Sequence, residues 1–182
     1  MENTTVLSPT RSRAGADSRL HKFFYESLQD IYYAEKHLVD ALETLRDEAT
    51  TEELKRAFDE HRGVTEGHVA RLEQVFEAIG EDADTRKCEA IKGIIKEADS
   101  IIRDTESDTL TRDAALILAG QKAEHYEIAT YGSLVQFAKI LGEYSAADLL
   151  QQTLDEEKEA DQALTKIAEG FINEKAREEV EA

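Results

Sequence analysis

An all-α fold, four long helices in a bundle with a shorter helix between the second and third, is what this sequence predicts. Two observations carry most of that expectation. The one proline, Pro9, lies near the start, so no later helix is broken by a residue that lacks a backbone donor. Apolar residues also recur at heptad-like spacing through four long stretches, the narrow stripe that a bundle buries. Composition agrees, because Ala, Leu, Glu, Lys and Arg are abundant and Trp is absent. At 182 residues the chain is expected to form one domain with its own core.

The opening stretch, MENTTVLSPTRSRAGAD (residues 1–17), is polar and reads as a disordered tail without the hydrophobic segment of a signal peptide. The first helix is expected from about Ser18 to Glu48, behind an Asp17 or Ser18 cap. Thr50 or Thr51 caps the second, with Glu52 or Glu53 placed for a capping box, and Gly80 ends it. The short helix runs from about Arg86 to Thr105 and carries Ile91, Ile94, Ile95, Ala98, Ile101 and Ile102. The third long helix begins near Thr109 or Thr111 and stops at Gly142. The fourth starts near Ser145 and fades around Phe171, so the bundle spans 18–172 and residues 173–182 form a charged end.

Each long helix has a seam that is apolar at its ends and polar in its middle. The first reads Phe24, Leu28, Ile31, Glu35, Leu38, Leu42, Leu45; the second Leu54, Phe58, His61, Thr65, His68, Leu72, Val75, Ile79. The third gives Ile117, Gln121, Glu124, Ile128, Tyr131, Val135, Ala138, and the fourth Leu150, Leu154, Glu157, Asp161, Leu164, Ala168, Phe171. Antiparallel helices bring their midpoints into one layer, so Glu35, the His61–His68 region, Glu124 and Glu157 should meet. A buried carboxylate costs several kcal/mol unless it is neutralised, paired or metal-bound, and no Lys or Arg stands on any seam. Hard oxygen ligands with imidazole suit iron or manganese, and a cation would remove the repulsion.

The formal net charge of −18 disfavours nucleic acid and anionic membranes, which need basic patches, and suits metal cations or a salty cytosol. No apolar run approaches the ~20 residues that span a bilayer. One cysteine, Cys88, excludes an internal disulfide and fits a reducing compartment, hence a cytoplasmic location. Gly-rich phosphate loops, Cys-x-x-Cys and G-x-S-x-G are all absent.

The segments LQDIYYAEKHL, FDEHRGVTEGHVARLEQVFE, KCEAIKGIIKEA, AALILAGQKAEHYEIATYGSL and LLQQTLDEEKEAD together resemble the YciE/YciF-like family of ferritin-like stress proteins. The resemblance covers about Leu20 to Glu169 and implies a ferritin-like four-helix bundle, a short helix on the long crossover, a homodimer and a dinuclear metal site. The short helix also offers an apolar face that a second copy could cover. Ferritin-like sites commonly use Glu-x-x-His on two helices, and this sequence departs from that. Phe58 stands three residues before His61, Glu157 is followed four residues later by Asp161, and Glu124 and Glu127 lie three apart. The expected site is rich in carboxylate with one histidine.

The candidate metal ligands are Glu35, His61, Glu124, Glu127 and Glu157. At His61 a core histidine bonded to a carboxylate is an equal reading. His68 lies about 10 Å along the axis from His61 at 1.5 Å per residue, too far for both to bind one ion. It is expected to support the site, as are Asp30 and Asp161. Glu156 and Glu159 are expected in solvent and His125 at the surface or bundle edge. Tyr32, Tyr126 and Tyr131 are read as core with a hydroxyl seeking one partner, and Cys88 as a small buried apolar group. Two functions follow. One is a stress-response protein with an iron or manganese centre of two ions, acting as a non-haem oxidoreductase on oxygen or peroxide. The other is a metal-free dimeric structural or interaction protein whose polar layer is a hydrogen-bonded network. An iron-storage cage is the weaker third reading, since nothing specifies a shell.

Overall fold

In the computed structural model the described residues are 18–180; the expected N-terminal tail lies outside them. All regular structure among them is helical. Helix α1 is Arg19–Glu48, α2 Glu52–Ile79, α3 Glu89–Asp104, α4 Leu110–Leu141 and α5 Tyr144–Ile167. A π-helical turn, Ala168–Ile172, leads from α5 into a last short helix, α6, Asn173–Ala176.

The helix starts follow side-chain capping. Ser18 accepts from His21 N, Thr51 from Leu54 N and Thr109 from Arg112 N, each satisfying an orphan donor of the first turn. Gly80 and Gly142 close α2 and α4 at positive φ (73° and 80°), the left-handed conformation that glycine adopts without strain. α3 starts at Glu89, three residues later than expected. Cys88 is its cap, its sulfur accepting from Ile91 N, while Arg86 N donates to Gln29 O of α1 and so leaves the helical path.

α1 packs on α2, α2 on α5, α5 on α4 and α4 on α1, closing a ring of four. The two hairpins, α1–α2 and α4–α5, have tight connections, whereas α2 and α4 are joined by a crossover that carries α3 along the side formed by α1 and α4. One end is latched: buried Asp113 of α4 accepts from Thr50 N (2.6 Å) and Thr51 N (2.9 Å) in the α1–α2 connection. The starts of α2 and α4 therefore share an end, and neighbours around the ring run antiparallel. Glu179, beyond α6, accepts from Leu110 N and Thr111 N, so part of the charged C-terminal end caps α4.

Three local features differ from the sequence reading. Phe171 is 37 % exposed and Ile172 is fully buried, because the π turn adds a residue and rotates the seam by one position. The isoleucines of α3 turn onto α1 and α4: Ile91 is fully buried and Ile94, Ile95, Ile101 and Ile102 are half-buried. The large apolar side chains left exposed include Phe23, Ile140 and Tyr144, none of them on α3. Covered by α3 as well as by its ring neighbours, α4 buries Leu116, Ala119, Ala123 and Leu134 beside Ile117, Glu124, Tyr131, Val135 and Ala138 of its expected seam, while Gln121 and Ile128 of that seam stay half-buried.

Candidate metal centre

The polar midpoints of the four long helices meet in one layer, between an apolar cluster around Phe24, Phe76 and Tyr131 and another around Leu54, Phe58 and Leu164. α1 contributes Glu35, α2 His61 and His68, α4 Glu124 and Glu127, and α5 Glu157. Glu35, His68 and Glu157 are fully buried, Glu124 and Glu127 are nearly so, and His61 keeps 13 % of its side chain exposed.

Two triads form around one shared carboxylate. Glu35, His68 and Glu157 each present a ligand atom, all within 4.8 Å of one another, and His61, Glu124 and Glu157 do the same. His68 Nδ1 lies 3.0 Å from Glu157 Oε1 and 3.7 Å from Glu35 Oε1. His61 Nε2 lies 3.1 Å from Glu124 Oε1 and 3.7 Å from Glu157 Oε2. Glu157 thus turns one oxygen to each triad. The two imidazoles belong to different triads, with ring centroids 6.4 Å apart. The structure places His68 among the converging side chains rather than behind them.

Supporting groups orient these side chains. The Tyr131 hydroxyl donates to Glu35 Oε1. His68 Nε2 lies 2.8 Å from Glu156 Oε2, and Arg71 grips the same carboxylate at 2.6 and 3.0 Å while also donating to Thr153. Glu156, expected in solvent, therefore sits behind His68 and leaves Nδ1 facing Glu35 and Glu157, as an outer partner fixes a ligand imidazole. Its carboxyl is held below the usual range, because the Arg71 and His68 contacts outweigh the opposing effect of its partial burial.

The other predicted residues lie apart. Asp161 is 3.2 Å from Gln121 Nε2 and 3.3 Å from His125 Nε2, towards the bundle edge, and His125 itself is exposed. Asp30 accepts from Tyr126, whose hydroxyl is 3.1 Å from the buried Cys88 sulfur. Tyr32 donates to Glu73, and burial followed by that contact raises its hydroxyl to about 12. Glu127 is buried beside the triads without belonging to either. Glu159 is exposed.

Electrostatics mark the layer as under-compensated. Burial pushes the carboxyls of Glu35, Glu127 and Glu157 upward, most strongly in Glu127, which also faces Glu157, Glu35 and Glu124. Burial opposes charge on His68, but the Glu157 and Glu35 carboxylates close to its Nδ1 outweigh it and raise the ring to about 10. His61 is raised in the same way, burial being outweighed by Glu124. Among the described residues no Lys or Arg pairs with any of the four central carboxylates. Among the described residues six buried side-chain atoms lack a hydrogen-bond partner: Arg62 Nε and, within this layer, Glu35 Oε2, His68 Nδ1, Glu124 Oε2 and both oxygens of Glu157. Buried polar atoms are rarely left so, and five of these six belong to the one layer. This donor set fits one or two cations.

The chain resembles known proteins over nearly its whole described length. The profile of a family described as a domain of unknown function, DUF892, matches residues 19–177. Protein YciF of Escherichia coli K12 is 46% identical over 154 residues, 84% of this chain and 92% of that protein. The crystal structure of the E. coli stress protein YciF superposes with a TM-score of 0.82 and 43% identity, covering 86% of this chain and 98% of the other. YcfI of Rhodopseudomonas palustris, provisionally described as a structural protein, has a TM-score of 0.79 and 34% identity over 86% of this chain and 96% of its own. A Xanthomonas campestris chain at 21% identity shares the fold (TM-score 0.69, 88% and 98% covered). With a ferritin-like bundle in place and a relative this close, the chain belongs to the DUF892 family, the YciE/YciF-like stress proteins.

Proposed function

We propose that the polar layer is a dinuclear centre for iron or manganese in a stress-response protein, with Glu157 bridging the two positions. The five orphaned atoms clustered in the layer are the observation that supports this most. Two unit charges ~4 Å apart interact by about 4 kcal/mol at an effective dielectric of ~20. Two imidazoles face four buried carboxylates, and cations would balance that excess of acidic groups. Glu35, His68 and Glu157 would hold one ion; His61, Glu124 and Glu157 would hold the other. Glu127, adjacent to both, is placed to take up or release a proton. Tyr131 keeps one oxygen of Glu35 engaged and leaves the second inward. When bound, such metals supply Lewis acidity and electron transfer to a small oxidant such as oxygen or peroxide.

The homodimer belongs to the proposal, supported by the exposed Phe23, Ile140 and Tyr144 rather than by α3. So does a cytoplasmic location, supported by the single cysteine, which is buried and free; no helix among the described residues is long and apolar enough to cross a membrane. The metal-free alternative draws on the short His–carboxylate distances, which also suit a protonated network. Elemental analysis of chelator-free protein, before and after anaerobic loading with Fe(II) or Mn(II), tests the choice. About two ions per chain are expected. A content near zero after loading would remove the metal reading and leave the network.

A further inference from the structure

The two triads differ in how they meet solvent. Glu35, His68 and Glu157 are fully buried, so their half of the layer has no direct route out. The other half lies beneath a cleft of about 230 Å³ between α2 and α5, with His61 and Glu124 among its lining residues. Ala57, Phe58, Val64, Ala160, Ala163 and Leu164 make its walls apolar, and Glu60, Glu156 and Glu159 add carboxylates to it. Glu60 and Glu159 are exposed, so negative charge stands at the mouth. Glu124, only 2 % exposed, is the most deeply buried of the lining carboxylates, and its Oε2 has no partner. The larger cleft beside Phe23 and Asp30 is lined by no member of either triad.

Resting on the metal reading above, the geometry points to the α2–α5 cleft as the route by which divalent cations reach the centre, filling the His61–Glu124 position first and the Glu35–His68 position through it. The mouth carboxylates raise the local cation concentration, and this steering weakens with salt. Small apolar side chains along the walls leave room for an ion without binding it. At the bottom, the free oxygen of Glu124 and the ring of His61 replace the water the ion sheds. From there Glu157, with one oxygen on each side, is the shared group across which the inner position fills.

The experiment is stopped-flow uptake of Co(II) by the metal-free full chain without oxygen, followed by visible absorption. Wild type should load in two phases. Ala160→Phe, which puts a ring into the cleft from a partly exposed position, should slow both phases at least tenfold without changing the final stoichiometry. If that variant does not fold, Ala163→Phe blocks the same cleft from an exposed position. Glu159→Lys should slow loading severalfold at low salt, and the difference should shrink in high salt. Blocked variants that load at the wild-type rate would overturn the route while leaving the metal centre intact. Wild-type protein that takes up no cobalt would overturn the metal reading itself.

Discussion

Replacing Glu157 by glutamine keeps the side chain's size and removes its charge from the point where both triads meet. Each oxygen of Glu157 faces one histidine, at 3.0 Å for His68 and 3.7 Å for His61, so in the proposed centre the change would take the charged ligand from both positions and leave one amide oxygen for the two. Losing an outer partner of a ligand already weakens metal sites 10- to 100-fold, so a direct shared ligand should be worth at least about 100-fold, near 2.8 kcal/mol. For each ion, metal at ~1,000 times its Kd stabilises wild type by about 4 kcal/mol, and at the same concentration the variant would retain about 1.4 kcal/mol. At roughly 2–4 °C per kcal/mol for a chain of this size, the rise in Tm contributed by each ion falls from about 8–16 °C to about 3–6 °C.

Without metal the same substitution should leave Tm level or raise it. Burial, with Glu124 nearby, is what raises the Glu157 carboxyl, and glutamine relieves both. His68 keeps Glu156 at 2.8 Å and Glu35 at 3.7 Å as charged neighbours. Thermal unfolding of both proteins, with and without excess Mn(II), reads the two effects separately. A variant that loses stability without metal, yet keeps the full metal-induced rise, would refute the assignment of Glu157 as a shared ligand.

Two further outcomes are expected. The Glu35, Glu127 and Glu157 carboxyls are raised above 4.5 and His68 above 6.5 to about 10, and groups raised on folding give stability that is lost as pH rises through the folded value. The cluster's contribution to metal-free stability should therefore decline from about pH 5 towards pH 10, while the metal-induced rise in Tm should grow over the lower part of that range as ligands lose protons; melts across pH with and without Mn(II) check both signs. At the end of α5, Ile172→Ala should cost about 2–5 kcal/mol by opening a cavity, whereas Phe171→Ser should cost less than about 1 kcal/mol; denaturant unfolding that reverses this order would place the seam on Phe171.

The polar break in each seam was legible because helical periodicity carries side-chain direction: Glu35, Glu124 and Glu157 each stand where a leucine would otherwise continue the stripe. Side-chain reach was not. Axial rise separates His61 from His68 by about 10 Å, yet their rings lean together to 6.4 Å, which backbone spacing does not encode. Glu156 stands one position off its seam, and only Arg71 from the neighbouring helix shows why it bends back to His68. The π turn has no signal in the heptad pattern before it, so the register after Ile167 shifted from Phe171 to Ile172. Arg86 and Lys87 look helical in isolation, and the backbone bond from Arg86 to Gln29 takes the chain elsewhere.

The allocation of these side chains between the hairpins bears on how the molecule comes apart. Glu35, His61 and His68 belong to the first hairpin, and Glu124, Glu127 and Glu157 to the second. Neither hairpin alone offers more than two members of either triad. Any ion held there is a cross-link between segments far apart in the chain, and it acts like a rivet rather than a filling. Parting the hairpins would dismantle both positions in the same motion, so shedding the ions and undocking the two halves of the bundle become one event.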